Sequence, residues 1–482
     1  MKVMLIQPPG NYLIKPSGER GGKLAVHPIG IAYIAAVLEK NGYEVKILDA
    51  LVEGYENEEP VRDCHSGKII RYGLSYKEIK YRIQEFNPDV VGISCLQSTR
   101  HIEAHKVCSI AKEVNPNIIV LIGGGHPTAL PKTTLKDKNI DYVVIGEGEH
   151  TTLELLKALE NKNSLKEING IGYKENEKII IQPKIKWIEN LNELPMPTWH
   201  LLPMEKYMEI GMSPGRMLKN RRWVTMYTSR GCPNSCSYCP ANKVWGNRFR
   251  WRSPESIITE MEFLIKEYGI KEFQFEDSNM TVDKKRMMKF CDEIIKRNLD
   301  ISWSMPHGTA IGTLDEELLR KMKDSGCYAL YLAIESAEQE ILNSVSKPLK
   351  ITEVRPVIEM CKKIGFHLIG YFMLGFPGET MKNINNTIDF AESLDLDGVS
   401  FFISTPLPGT VFYRECKEKG YLRKGFKFED ARYGVGNIVT EEFDPEIIEK
   451  IRRDAWLRIM KKRVDTNGYD KSKSGFERSD VQ

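Results

Sequence analysis

Long apolar runs are missing from the 482 residues. None approaches the roughly 18 needed for a bilayer-spanning helix, so no transmembrane segment and no membrane partner are expected. Excess charge of one sign is missing as well. The formal net charge is +3, too small for this length to make nucleic acid the main partner. The first residues, Met1-Lys2-Val3-Met4-Leu5-Ile6-Gln7, run into Pro8-Pro9 with no signal-type apolar stretch and no cleavage site, so a cytoplasmic location is expected. A disulfide framework is also absent. Cys64, Cys95, Cys108, Cys291, Cys327, Cys361 and Cys416 are scattered, mostly among apolar neighbours, and read as free buried thiols.

The remaining three cysteines stand together in Arg230-Gly231-Cys232-Pro233-Asn234-Ser235-Cys236-Ser237-Tyr238-Cys239-Pro240. Gly231, Pro233 and Pro240 make this stretch a loop rather than a packed element. The spacing C-x3-C-x2-C lets three thiolates face one metal centre. An iron–sulfur cluster normally takes four cysteines, so three leave one iron open to a substrate. A zinc knuckle short of one ligand and three buried thiols are the plainer alternatives.

At this length two or three domains are expected. Residues 1–160 alternate strands and helices: Val3–Ile6, a helix over 29–41, Val45–Leu48, a long polar loop, a helix near 77–86, Val90–Ser94, a helix over 101–114, Ile118–Ile122, Tyr142–Ile145 and a helix from about 150. This predicts a doubly wound parallel sheet of the Rossmann-like α/β class, with ligands beyond the carboxyl ends of its strands. Those ends read Ser94-Cys95-Leu96-Gln97-Ser98, Gly123-Gly124-Gly125-His126 and Gly146-Glu147. Residues 161–222 read as a hairpin (168–183) followed by a proline-rich linker. Its basic stretch Arg216, Lys219, Arg221, Arg222 reads as a solvated face or a docking point for a reductant or acidic substrate. Residues 223–415 resume the alternation with six βα units, a partial (β/α)6 barrel with polar residues at its strand ends. Residues 416–482 form a small C-terminal part: a helix over 445–463 and a tail expected to be disordered after about 465.

The cysteine loop, with the aromatic Tyr238 before its third cysteine, resembles the cluster motif of the radical S-adenosylmethionine (SAM) enzymes. The resemblance implies that Cys232, Cys236 and Cys239 hold a [4Fe-4S] cluster and that SAM binds its open iron and is cleaved to a 5′-deoxyadenosyl radical. Three strand ends are similar to that family's SAM landmarks: Glu276-Asp277-Ser278 for the amino group, without the usual glycines; Glu335-Ser336 for the ribose or carboxylate; and Gly375-Phe376-Pro377-Gly378-Glu379 near the adenine. Asp277 and Ser336 also read as helix N-caps.

The first domain's loops resemble the S-x-L and G-G elements of cobalamin-binding domains. The resemblance implies cobalamin contacts from Ser94, Leu96, Gln97, Ser98, Gly123, Gly124, Gly125, His126, Gly146 and Glu147. The D-x-H-x-x-G element of many such domains is not matched: that loop reads Pro8-Pro9-Gly10-Asn11-Tyr12-Leu13. His27 could in principle reach cobalt; a loop or helix-start residue is the other reading.

The order cobalamin domain, then SAM domain resembles the cobalamin-dependent radical SAM family, most of whose characterised members are methyltransferases. The resemblance implies methylation of an unactivated carbon of a small molecule or peptide by way of methylcobalamin, with an electron donor such as flavodoxin or ferredoxin. An oxygen-independent cyclase, similar to the anaerobic magnesium-protoporphyrin IX monomethyl ester cyclase, is the alternative. Tyr413 or Tyr433 is expected near the substrate, and Cys327, after Ser325-Gly326, is expected to pack rather than react.

Overall fold

The computed structural model describes residues 1–215 and 217–467. Arg216 and the polar tail from residue 468 onward lie outside them. The chain divides into two compact units: Met1–Met212 with Pro240–Gly246, and Ser213–Cys239 with the residues from Asn247 on.

The first unit is built on β1 (Lys2–Gln7), β2 (Gly10–Ile14), β3 (Glu44–Asp49), β4 (Glu58–Cys64), β5 (Gly67–Tyr72), β6 (Val90–Ser94), β7 (Ile119–Gly123), β8 (Tyr142–Val144), β9 (Ile171–Glu175) and β10 (Lys178–Gln182). Its main sheet runs β10-β9-β8-β7-β6-β1-β3. The five strands from β3 to β8 are parallel, and β9 and β10 extend them antiparallel. The continuous apolar runs Val3–Ile6 and Val90–Ile93 are buried throughout, as strands covered on both faces must be. The chain turns from β1 to β3 on one side and continues through β6 on the other. The topological switch, and with it the crevice of such a sheet, therefore lies at the carboxyl ends of β1 and β6.

Two features depart from the sequence reading. The polar loop after β3 contains β4 and β5, which join β2 in a second, antiparallel sheet of order β2-β5-β4. Charge and Pro60 mask β4, and the register slips between Pro60 and Arg62, where a residue with no N–H to give is tolerated. The hairpin over 168–183 is part of the main sheet, and the proline-rich segment after it is packed rather than spanning: Thr198 N–H donates to the Ala32 carbonyl (3.2 Å), and Trp199 and Tyr207 are fully buried.

The second unit holds β11 (Trp223–Met226), β12 (Ser229–Arg230), β13 (Arg250–Trp251), β14 (Glu272–Phe275), β15 (Ser302–Thr309), β16 (Cys327–Glu335), β17 (His367–Leu374) and β18 (Gly398–Ile403). Six of them form one parallel sheet in sequential order, β11-β14-β15-β16-β17-β18, whose end strands do not pair with each other. This is the expected partial barrel. Alternation in Glu272-Phe273-Gln274-Phe275-Glu276 places the aromatics against the helices and the polar side chains inside. Phe275 packs on Phe290 of the helix Lys284–Lys296. Glu272 accepts from Tyr328 Oη (2.6 Å) and Asn220 N–H (2.7 Å). Gln274 bonds Ser213 and Gly215, and Tyr331 Oη donates to the Gly215 carbonyl (2.6 Å). Ser213, Gly215 and Asn220 thus close the interior from the amino-terminal end. The helix Pro445–Asn467 packs on β18.

Candidate functional site

The cysteine loop leaves the sheet at β11 and is tied at its root by β12 and β13, with Ser229 opposite Trp251 and Arg230 opposite Arg250. Buried Asp277 pins the corner before it: its carboxylate accepts from Thr228 N–H (2.7 Å), Ser229 Oγ (2.8 Å) and the Thr228 hydroxyl. Burial raises its pKa against these bonds and the nearby Arg286. Arg286, from the following helix, donates to the Thr228 carbonyl (2.8 Å). Gly231, at φ +82°, makes the turn into the loop that a side chain would strain. Deeper in, Ser237 N–H donates to the Val345 carbonyl (2.9 Å) and Cys239 N–H to the Cys236 carbonyl (3.1 Å).

None of the three cysteines is in a disulfide, and Cys239 is exposed. Among the described residues no three Cys, His, Asp or Glu side chains converge as ligands of one metal ion. Burial raises the Cys236 thiol, and Lys347 works in the opposite direction. A bound iron would complete the deprotonation.

Tyr238 turns inward from the loop. Its hydroxyl donates to Glu335 Oε1 (3.0 Å), and Lys347 Nζ reaches the same oxygen at 2.9 Å. Glu335 sits at a register slip at the end of β16 with φ +67°, a costly conformation for a residue with a side chain, and one that recurs at ligand sites. Burial works against the Lys347 ammonium, but Glu335 and Cys236 outweigh it and raise its pKa.

At the end of β14, Glu276 bonds the His307 ring through Oε2, and its buried Oε1 has no hydrogen-bond partner. A carboxylate oxygen left bare in the interior fits an incoming ammonium group. At the end of β17, the Glu379 carboxylate accepts from Gly375 N–H (2.7 Å) and Phe376 N–H (2.8 Å), and Gly375 has φ +84°.

Of the expected SAM contacts, the structure brings the Tyr238 and Glu335 side chains together and leaves Glu276 with an open acceptor. Ser278 is half-buried beside them in sequence. Asp277 and Ser336 are otherwise engaged. Asp277 binds the corner before the loop and caps no helix. Ser336 is buried, and its hydroxyl meets Thr387 Oγ1 (3.2 Å) and accepts from Glu338 N–H (3.2 Å). Lys347 and His307 were missed. Lys347 lies in a short connection between helices, and His307 lies beyond the apolar run by which β15 was recognised, so neither position carried a periodic signal.

In the first unit, Ser94, Leu96, Gln97 and Ser98 follow β6 at the switch point. Leu96 is 60% exposed, an uncovered apolar side chain where a large ligand would lie. Buried His126 holds Ser98 Oγ through Nδ1 (2.9 Å) and stacks on His101 with centroids 4.7 Å apart. Burial is the largest influence lowering its pKa to about 3, so the ring is neutral.

The glycines after β7 serve close backbone approach. A Cβ at Gly124 would lie 2.7 Å from the Cys95 carbonyl oxygen, and one at Gly125 2.6 Å from that of Leu96. Gly123 faces Val144 at ordinary contact distance. Gly146 has φ +71° and lies under Trp187. Glu147 is not presented to the crevice: buried, it accepts from Ile188 N–H (2.9 Å). Past β1, Asn11 Nδ2 donates to the Thr99 carbonyl (2.8 Å), in place of a histidine. His27 stacks on Tyr207 with centroids 4.0 Å apart, and burial lowers its pKa to about 3. It is a buried residue just ahead of the helix Ile29–Lys40, in line with the helix-start reading. These donors and the exposed leucine fit an amide-rimmed, partly apolar corrinoid.

Cys327 is buried, and burial raises its pKa well above that of a free thiol, as packing requires. Lys219, Arg221 and Arg222 are exposed. No helix among the described residues is long and apolar enough to cross a membrane.

Residues 22–156 match the family model of the B12 binding domain, and residues 226–391 that of the radical SAM superfamily. The chain is 36% identical to cytidylyl-2-hydroxyethylphosphonate methyltransferase of Streptomyces wedmorensis, over 82% of this chain and 79% of that one. It is 37% identical to an uncharacterized methyltransferase of Pyrococcus horikoshii, over 95% and 92%. The structure of the radical SAM methyltransferase TsrM of Kitasatospora setae, with cobalamin and a [4Fe-4S] cluster bound, superposes with a TM-score of 0.69 at 17% identity, covering 87% of this chain and 75% of that one. A corrinoid crevice, a three-cysteine loop on a partial barrel and these matches together place the chain in the family of cobalamin-dependent radical SAM enzymes.

Proposed function

We propose that the enzyme methylates an unactivated carbon of a small molecule. The observation that carries this reading is the likeness, at more than a third identity over most of both chains, to proteins named as methyltransferases that share both domains. When bound, the cluster with SAM supplies hydrogen abstraction by a radical, and the corrinoid supplies the methyl carrier.

The chain's own residues hold and orient. Cys232, Cys236 and Cys239 ligate the cluster. Glu276 Oε1 takes the SAM ammonium, and the Lys347–Glu335–Tyr238 group holds the remaining polar part of SAM beside the loop. Glu379 fixes the Gly375–Phe376 turn against which the adenine lies. Leu96, Gln97 and the Gly123–Gly125 turn form the corrinoid's bed. A low-potential flavodoxin or ferredoxin supplies the electron.

The test is anaerobic reconstitution with iron, sulfide and cobalamin, followed by SAM, a strong reductant and cytidylyl-2-hydroxyethylphosphonate as the first compound offered. Mass spectrometry should find 5′-deoxyadenosine together with S-adenosylhomocysteine. Deoxyadenosine without S-adenosylhomocysteine or a methylated corrinoid would move the assignment to the oxygen-independent cyclase.

A further inference from the structure

Above the closed end of the partial barrel, the interior of the second unit changes character. Strand β15 breaks register between Met305 and Thr309, and the bulged residues are Pro306, His307 and Gly308. Bulges at barrel rims re-aim side chains. Gly308 has φ +100°, and a Cβ there would sit 3.3 Å from that of Ala333 and 3.8 Å from the Tyr371 ring, so this backbone lies flat against the neighbouring strands. Tyr371 Oη donates to the Pro306 carbonyl (2.8 Å) and holds the bulge from β17.

The His307 side chain is 49% accessible, yet burial is the largest single influence on its titration. The ring stands half open at the carboxyl-terminal rim of the partial barrel, at the end of β15 beside the end of β14, where such folds place their ligands. Its Nε2 is held by Glu276. Among the described residues Nδ1 has no partner. Burial disfavours charge on the ring, but Glu276, reinforced by Asp277, outweighs it and raises the pKa, so the ring carries a second proton more readily than a free imidazole.

An aromatic row crosses the neighbouring strands β16, β17 and β18. Tyr331, Tyr371, Phe402 and Tyr433 follow one another with centroids 5.7, 5.3 and 5.8 Å apart. The first is buried, Tyr371 and Phe402 are partly open, and Tyr433 is 50% exposed. Aromatic faces left partly open at strand ends are large contact surfaces for a ligand ring.

We propose that these residues at the rim form the substrate site and that it takes a molecule with a flat ring and an anionic oxygen, the ring against Tyr371, Phe402 and Tyr433 and the oxygen on His307 Nδ1–H. The assignment rests on the methyltransferase reading for its chemistry but stands on these residues for its selectivity. It also makes Glu276 a shared residue, with one oxygen toward SAM and the other orienting the group that binds substrate.

The test uses reconstituted enzyme with SAM and measures binding of phenyl phosphate and cytidine monophosphate against their neutral counterparts, phenol and cytidine. At least one anion should bind about tenfold more tightly than its counterpart, as a charge-assisted hydrogen bond allows. His307→Gln should remove that preference while leaving binding of the neutral ring and of SAM unchanged. Phe402→Ala should weaken anion and neutral ring together. Iron content and near-ultraviolet dichroism show that each variant is folded.

Equal binding of charged and neutral rings, no binding of any of the four, or equal losses for both in His307→Gln would overturn the proposal. Failure of the functional reading looks different: wild-type enzyme would then form 5′-deoxyadenosine without S-adenosylhomocysteine or a methylated corrinoid, whatever the ring compounds do.

Discussion

Tyr238 Oη donates to Glu335 Oε1 across 3.0 Å, joining the cysteine loop to the end of β16, 97 residues further along the chain. Lys347 on the same oxygen makes this a three-membered group with a carboxylate at its centre. Removing the phenol leaves the other two members in place. Tyr238→Phe should therefore retain its iron and weaken SAM binding about tenfold, the size expected for one hydrogen bond to a charged group. Equilibrium dialysis with SAM on reconstituted protein measures it. Unchanged affinity would mean that the tyrosine serves packing alone, against Phe376 at 5.6 Å.

The pair Glu335–Lys347 is 10% and 13% exposed. Breaking such a pair leaves one charge stranded, which typically costs about 3–5 kcal/mol, whereas replacing both partners costs less. Lys347→Met and Glu335→Gln should each lower the urea midpoint markedly. The double variant should recover part of the loss. Strictly additive losses would show that the two charges do not depend on each other.

Much of this site could be read in the sequence, and the reason is geometric. The cysteines are sequential, so spacing alone reports them. The six barrel strands announce themselves by apolar runs, and their carboxyl ends locate Glu276, Glu335 and Gly375 without further information. What escaped depends on three-dimensional context. His307 is delivered by a bulge, and a bulge has no composition that marks it. Asp277 and Glu276 are adjacent acids at one strand end; only the fold shows that one ties down Thr228 and Ser229 while the other faces the interior. The β2-β5-β4 sheet was hidden because Glu58, Glu59, Arg62 and Asp63 look like a solvated loop, although their strand is held by pairing to β5.

The C-x3-C-x2-C spacing of Cys232, Cys236 and Cys239 leads to a metal-selectivity prediction. Protein prepared without iron should take up no stoichiometric zinc at the cysteine loop. Reconstitution should yield about four irons and four sulfides per chain, the content of one cubane cluster. Cys232→Ala, Cys236→Ala and Cys239→Ala should each abolish it, with the dichroism of the protein retained. Metal and acid-labile sulfide analysis decides this. One tightly bound zinc per chain, lost in the same variants, would make the loop a zinc knuckle instead.

Glu379 gives a pH dependence whose sign can be worked out. The side chain is fully buried, and burial, partly offset by the bonds from Phe376 and Gly375, raises its pKa from 4.5 to about 7. Below pH 4.5 the folded and unfolded chains both hold the proton and the group has no effect on stability. Between about 4.5 and about 7 the unfolded chain ionises while the folded one does not, so this group makes the fold progressively less stable as pH rises. The loss reaches about 3 kcal/mol, at 1.36 kcal/mol per pH unit, and stays constant above about 7. Glu379→Gln cannot ionise, and its amide oxygen can still accept from Gly375 and Phe376. Urea unfolding of both proteins from pH 4.5 to 8 should show the variant gaining on the wild type across that window and then running parallel to it. Buried Asp49, also raised, to about 6, slopes equally in both proteins and cancels in the difference. A difference that does not change with pH would mean that Glu379 is already ionised at acidic pH, as a carboxylate accepting two backbone N–H groups can be. The turn it fixes would then be held by a charge rather than by a neutral acid.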